Sequence, residues 1–266
     1  MSILSQFMTT QQPGLQGGLS GPVADTTIVA LSDLVYHWPG ASKPLLDIRS
    51  LQVEKGQRVF IQGPSGSGKS TLLSLLAGVI SPQQGCVSLL GQRIDRLSNA
   101  GRDRFRADHI GFIFQMFNLI PYLTVQENVS LPCLFSSRRK ENAHHSSDSL
   151  EAEALRLLEH LDMADPDLFR RPVTDLSVGQ QQRVAAARAL MGSPEILIAD
   201  EPTSSLDAAH RQEFINLLFE ECRLNDTTLV FVSHDTSLAP FFDRMISLPE
   251  ISRAGGAANG SGKGVN

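Results

Sequence analysis

Residues Gly63 to Thr71 read Gly-Pro-Ser-Gly-Ser-Gly-Lys-Ser-Thr, and no other stretch narrows the possible folds of this chain so far. They fit G-x-x-x-x-G-K-[ST], the pattern of a phosphate-binding loop joining a strand to a helix. The apolar run Val59-Phe60-Ile61 precedes the loop and the helix-like Leu72-Leu73-Ser74-Leu75-Leu76-Ala77 follows it, which is the setting the motif needs. Gly78 then suits a helix C-cap, and Pro82 keeps the helix from resuming.

The residue types explain themselves chemically. A triphosphate is a polyanion, and a loop that turns its backbone N–H groups inward at the positive end of a helix makes a concave anion site. Gly63, Pro64, Ser65, Gly66, Ser67, Gly68, Lys69, Ser70 and Thr71 are therefore the expected nucleotide-binding residues, with Gly66 and Gly68 leaving room for close approach. Lys69 would reach the β- and γ-phosphates as a point charge, and the Ser70 hydroxyl would be a ligand of Mg²⁺.

The composition of the whole chain is ordinary for a globular protein, with 41% hydrophobic and 19% charged residues. A net charge of -5 argues against holding nucleic acid by overall charge, so no nucleic-acid partner is expected. No apolar run approaches the roughly 20 residues of a membrane-spanning helix, and the N-terminus lacks the basic-then-apolar order of a secretory signal, so a cytoplasmic location is expected. Cys86, Cys133 and Cys222 lack C-x-x-C spacing and read as small apolar residues.

Residues 1–26 and 253–266 are glycine-rich or polar without apolar periodicity and are expected to be mobile tails around one domain, 27–252. Within it, Ile28–Leu31, Leu51–Val53, Cys86–Leu90, Ile110–Phe114, Ile196–Ala199 and Thr228–Val232 predict strands. Leu150–Leu161 predicts an amphipathic helix, and another is expected from the N-cap Ser177 to Gly192. Residues 136–149, including His144 and His145, read as a solvated loop. Strands alternating with helices predict an α/β core with a largely parallel sheet, whose ligands gather at the carboxyl ends of the strands.

Polar groups stand at such ends. Gln115 follows one apolar run, Asp200-Glu201 closes a second and His234 follows a third. Asp200 suits a Mg²⁺ ligand, and Glu201 suits a group that orients and deprotonates an attacking water. The aromatic cluster Leu34–Gly40, which holds Tyr36 and Trp38, offers a ring that either stacks on a base or sits in the core, and position alone favours neither.

Leu176-Ser177-Val178-Gly179-Gln180, followed by Gln-Gln-Arg-Val-Ala-Ala-Ala-Arg-Ala-Leu190, resembles the signature segment of ABC-type ATPases, and it precedes Asp200-Glu201-Pro-Thr-Ser-Ser-Leu-Asp207 as it does there. Gln115 matches that family's glutamine loop, Asp207 its D-loop and His234 its switch histidine. The resemblance covers nearly all of 27–250 and implies the ABC-type nucleotide-binding fold: a phosphate-loop core with a mainly parallel sheet, an antiparallel β subdomain and an inserted helical subdomain at about 116–190. It also implies catalytic roles for Glu201, His234, Gln115 and Lys69. Nucleotide contacts from Trp38, Ser177, Gly179, Gln180 and Asp207 follow as well, with Mg²⁺ held by Ser70, Gln115 and Asp200.

The implied assembly is an ATP-dependent homodimer, closed by ATP and reopened by hydrolysis, peripheral on the inner face of the membrane through a permease. The stretch Phe114–Val129 is similar to the ATP-binding subunits of lipoprotein-release and macrolide-export transporters, which implies a partner with a large extracytoplasmic domain. One departure stands out: Val178 occupies the position of the signature's usual first glycine. A non-transport member of the superfamily, acting in DNA repair or on ribosomes, is the alternative. Such chains insert coiled coils or carry two ATPase units, and neither heptads nor an internal repeat occurs here. An unrelated phosphate-loop kinase would leave the signature segment unexplained.

Overall fold

The computed structural model describes residues 26–255. Of the tails expected from sequence, residues 1–25 and 256–266 lie outside the described residues. Arg253–Gly255, assigned to the C-terminal tail, instead form a 3-10 turn.

The chain opens with strands β1 (Thr27–Tyr36), β2 (Leu46–Glu54) and β3 (Arg58–Gln62), then helix α1 (Lys69–Leu76). Next come β4 (Gln84–Leu89), β5 (Gln92–Arg93), α2 (Asn99–His109) and β6 (Ile110–Ile113). A helical insertion follows: α3 (Val125–Ser130), α4 (Pro132–Phe135), α5 (Ser137–Ser146), α6 (Leu150–His160) and α7 (Val178–Leu190). The chain then returns through β7 (Ile196–Asp200), α8 (Ala208–Leu224), β8 (Thr228–Val232), β9 (Arg244–Ser247) and α9 (Leu248–Ile251).

Among the described residues the strands form an antiparallel sheet ordered β2-β1-β4-β5 and a parallel sheet ordered β6-β7-β8-β3-β9. The parallel strands are near-continuous apolar runs because both their faces are covered. Alternate side chains split between two cores. Ile196 and Ile198 face α1 and the antiparallel sheet, while Leu197 and Ala199 face the helices of the insertion and α8. The sheet order also lines up the carboxyl ends of β6, β7, β8 and β3, which carry Gln115, Asp200-Glu201, His234 and the phosphate loop.

Two expectations need correction. The first predicted strand continues beyond Leu31 to Tyr36, because Asp33 takes a left-handed conformation (φ 46°) and absorbs a register shift against β4 between Ser32 and Val35. The expected solvated loop at 136–149 is mostly helix α5. Ser136 caps it by accepting from Arg139 N, and Arg139 is buried, donating Nε–H to the Met191 carbonyl at 2.7 Å and an Nη–H to that of Ala189 at 2.5 Å. A helix this short and polar draws its stability from tertiary contact rather than propensity. The anchor lies on α7, some fifty residues away in sequence.

Candidate active site

The loop after β3 is shaped by glycines. Gly66 (φ 79°) and Gly68 (φ 97°) are both left-handed, and a Cβ on Gly68 would come within 2.8 Å of the Leu46 side chain. Gly68 is the N-cap of α1 and offers no side-chain cap, so the first N–H groups of the helix remain available to an anion. Lys69 folds along the loop, its ammonium donating to the carbonyls of Gly63 at 2.6 Å and Pro64 at 3.2 Å. Ser67 Oγ is buried without a protein hydrogen-bond partner.

A cavity of about 550 Å³ opens above this loop, lined by Trp38, Leu45, Ser65, Gly66, Gly68, Lys69, Ser70, Thr71, Gln115, Asp200, Glu201 and His234. Gly63 and Pro64 face an adjoining cleft with His234. The expected groups at the ends of four strands thus converge. Trp38 is 50% exposed on the cavity wall, whereas Tyr36 is only 4% exposed, packed within the antiparallel sheet's core. Their rings meet edge to face at 5.4 Å, so Tyr36 supports the tryptophan rather than competing with it for the cavity. Leu45, which borders the cavity, carried no motif that would have marked it.

Glu201 is the most constrained residue here. It is buried with a left-handed backbone (φ 48°), unusual for a side chain of its kind, and its N–H donates to the Val232 carbonyl at 2.9 Å. Its carboxylate Oε2 accepts from Ser233 Oγ at 3.2 Å and lies 2.8 Å from His234 Nδ1. Ladder and side-chain bonds together hold the carboxylate toward the cavity. Burial pushes the neighbouring Asp200 carboxyl up from its ordinary range, opposed by a hydrogen bond from Ser70 and reinforced by the charge of Glu201.

The signature residues lie elsewhere. Ser177 caps α7 reciprocally: its Oγ accepts from Gln180 N at 3.3 Å and its own N–H donates to Gln180 Oε1 at 2.9 Å. The Ser177 hydroxyl proton stays free to donate outward. Gln180 spends its amide oxygen on the cap. Ser177, Gly179 and Gln180 border a second cavity, about 300 Å³, with Leu206, His210 and Phe214. None of its lining residues is shared with the first cavity. Asp207 caps α8 through His210 N at 3.0 Å and bonds His210 Nδ1 at 2.8 Å, so within one chain it belongs beside the second cavity and not at the phosphate loop. His210 had no place in the sequence reading.

Val178 is the first residue of α7, 52% exposed and outside the second cavity's walls, with no left-handed backbone. Its branched side chain is exposed beside Gly179, and on steric grounds it is expected to crowd a phosphate approaching this helix N-terminus. Val178→Gly should raise ATP turnover by up to about tenfold, equivalent to about 1.4 kcal/mol of barrier. The same change should cost about 0.5–1 kcal/mol of helix stability. Steady-state phosphate release and thermal melting measure the two opposite effects, and reduced turnover would refute the steric reading.

The ABC transporter family profile matches residues 46–204. This chain belongs to that family. The uncharacterized ABC transporter ATP-binding protein YbbA of Escherichia coli is 44% identical over 198 residues, 74% of this chain and 83% of YbbA. The lipoprotein-releasing system ATP-binding protein LolD of Xylella fastidiosa is 41% identical over 204 residues, 77% of this chain and 81% of LolD. Among solved structures, the dimeric post-hydrolysis state of the ATP-binding cassette MJ0796 bound to ADP and Pi superposes with a TM-score of 0.73 at 34% identity, covering 86% of this chain and 95% of that one.

The chain is thus an ATP-binding, ATP-hydrolysing subunit of an ABC transporter, working with separate membrane subunits. Among the described residues no helix is long and apolar enough to cross a membrane.

Proposed function

We propose that two copies of this subunit close around ATP, each nucleotide held between the phosphate loop of one copy and Ser177 and Gly179 of the other. One observation carries this reading: the two halves of the nucleotide machinery border separate cavities on a single chain, and neither half is complete alone. An isologous pairing supplies the missing half to both sites at once, as twofold symmetry requires. The dimeric state of the MJ0796 structure supports it. ATP would bridge the copies only when they are closed, so its binding energy favours closure, and its hydrolysis removes that bias.

Within each site Trp38 stacks on the base and Lys69 neutralises phosphate charge. Ser70, Asp200 and Gln115 supply hard oxygen donors suited to Mg²⁺, and their shared place on the wall of one cavity supports this. When bound, Mg²⁺ would neutralise phosphate charge. Glu201 orients and deprotonates water, and His234 fixes the carboxylate. Gln180 braces Ser177, and Asp207 anchors the start of α8 at the dimer face.

Beyond the cavity, Met116 (81% exposed) and Tyr122 (82%) present apolar surface on the segment from Gln115 to Pro132. This segment docks helices of the permease on the inner face of the membrane. The lipoprotein-releasing systems named for the LolD relatives support a task of export or extraction, and the resemblance of Phe114–Val129 is the ground for a permease with a large extracytoplasmic domain.

A pull-down of tagged Glu201→Gln from its source cells, in mild detergent with ATP and Mg²⁺, tests the assembly. Recovery of a membrane protein with few spanning helices and a large extracytoplasmic domain is expected. Recovery of ribosomal or DNA-repair proteins in its place would overturn the proposal.

A further inference from the structure

The turn that follows Gln115 is held from an unexpected side. Phe117 N donates to the Phe114 carbonyl at 2.9 Å and Asn118 N to that of Met116 at 2.6 Å. Phe117 (φ 59°) and Asn118 (φ 50°) are consecutive non-glycine residues in the left-handed region. Such a pair persists only where surrounding structure over-determines it. The structure supplies that constraint from α7: Arg188 donates Nη2–H to the Phe117 carbonyl at 2.5 Å and Nη1–H to the Asn118 carbonyl at 2.7 Å.

Arg188 is buried in a run of small apolar residues, and among the described residues it forms no ion pair. Burial depresses its pKa, so the site is unfavourable for a cation without strong acceptors. A guanidinium presents two N–H groups to the two carbonyls from separate nitrogens in a fixed planar fork, a geometry the single nitrogen of an ammonium does not reproduce. The second half of the same loop is stitched separately. Asn128, fully buried on α3, accepts from Ile120 N at 2.8 Å and donates to the carbonyls of Ile120, Leu123 and Thr124 at 3.0–3.3 Å. Among the described residues, the side-chain hydrogen bonds from α7 to the Gln115 end of the loop come from Arg188, on the helix whose N-terminus carries Ser177 and Gly179.

We propose that Arg188 is a positioning residue, tying the strained Phe117-Asn118 turn to α7 so that Gln115 in one cavity and the Ser177 end of α7 move as one body. The proposal rests on the reading of Gln115 as a group acting at the nucleotide. Closure of the signature helix onto ATP would then carry Gln115 and the exposed Met116 with it. The permease face and the nucleotide face would be coupled through two hydrogen bonds.

The test compares wild type with Arg188→Lys, with Arg188→Lys combined with Asn118→Gly, and with Asn118→Val. Arg188→Lys should lower kcat for ATP about ten- to a hundredfold, the scale of a misplaced catalytic group, with KM changed less than about twofold. Asn118→Gly should recover most of that loss, because glycine enters the left-handed region without steric penalty. A purely structural role for Arg188 in α7 would not be relieved by a glycine in another element. Asn118→Val leaves Arg188 in place, alters an exposed side chain and disfavours the turn, so it should lower kcat also and decides the matter if Arg188→Lys does not fold.

Chymotryptic cleavage next to Met116 and Phe117, read without nucleotide, should accelerate several-fold in Arg188→Lys and slow again in the double variant. Wild-type kcat in both single variants, or a loss in Arg188→Lys that glycine does not relieve, would overturn the proposal. A normal kcat in Gln115→Ala with altered loop protection in Arg188→Lys would remove Gln115 from its role while keeping the tie.

Discussion

Replacing Glu201 by glutamine is expected to slow ATP hydrolysis by about 10²- to 10⁴-fold, the usual contribution of a positioned general base, while ATP still binds. On the barrier this is about 3–5 kcal/mol. Glutamine keeps the shape and an oxygen that accepts from Ser233 Oγ, so the left-handed turn at Glu201 and its bond to the Val232 carbonyl should survive. What it loses is the capacity to take a proton. Closure needs ATP in both halves and reopening needs hydrolysis, so the variant should accumulate as an ATP-bound dimer. Size-exclusion chromatography with and without ATP reads the dimer, and phosphate release reads the rate. Wild-type turnover would remove Glu201 from its role.

Lys69→Ala should weaken ATP binding by roughly tenfold to a hundredfold, from the loss of charge-assisted hydrogen bonds worth about 1.5–3 kcal/mol to a buried anion. The loop itself also relaxes. Lys69 Nζ ties the carbonyls of Gly63 and Pro64, and without it these acceptors lose their side-chain donor. Turnover should fall further than affinity, because charge on the phosphates grows more demanding in the transition state. Lys69→Arg separates charge from shape: a planar fork cannot fold back onto the loop as the ammonium does, so it should rescue little. Titration with a fluorescent ATP analogue measures the affinity, and near-normal binding in Lys69→Ala would refute the assignment.

Much of the active site could be read from residue order because each part is built locally. The phosphate loop needs only its glycines and the helix behind it. The N-terminus of α7 needs only Ser177 and Gln180, three residues apart, to close its capping box. The ends of β7 and β8 are marked by apolar runs that stop at Asp200 and just before Ser233-His234. Other parts were hidden because their partners are distant. Helix α5 has a loop-like composition and exists through Arg139 reaching the end of α7. Arg188 looked like one more residue of an alanine-rich helix until its two carbonyl partners, about seventy positions earlier, came into view. A lone arginine among buried alanines was the only available signal.

Composition, periodicity and motif spacing were enough for the strand–loop–helix unit, the alternation of strands and helices, and the chemistry expected of Lys69, Asp200, Glu201 and His234. Those features follow from backbone preference and from interactions spanning a few residues. That Trp38 and not Tyr36 faces the cavity came from where β1 ends: Tyr36 pairs with Leu46 inside the sheet and is buried, whereas Trp38 lies beyond the strand on the cavity wall. The separation of the phosphate loop from Ser177 and Gly179 came from strand order and the placement of the helical insertion. Such features depend on which surfaces meet after the chain has folded back on itself, and that is set by the summed packing of two cores rather than by any local pattern.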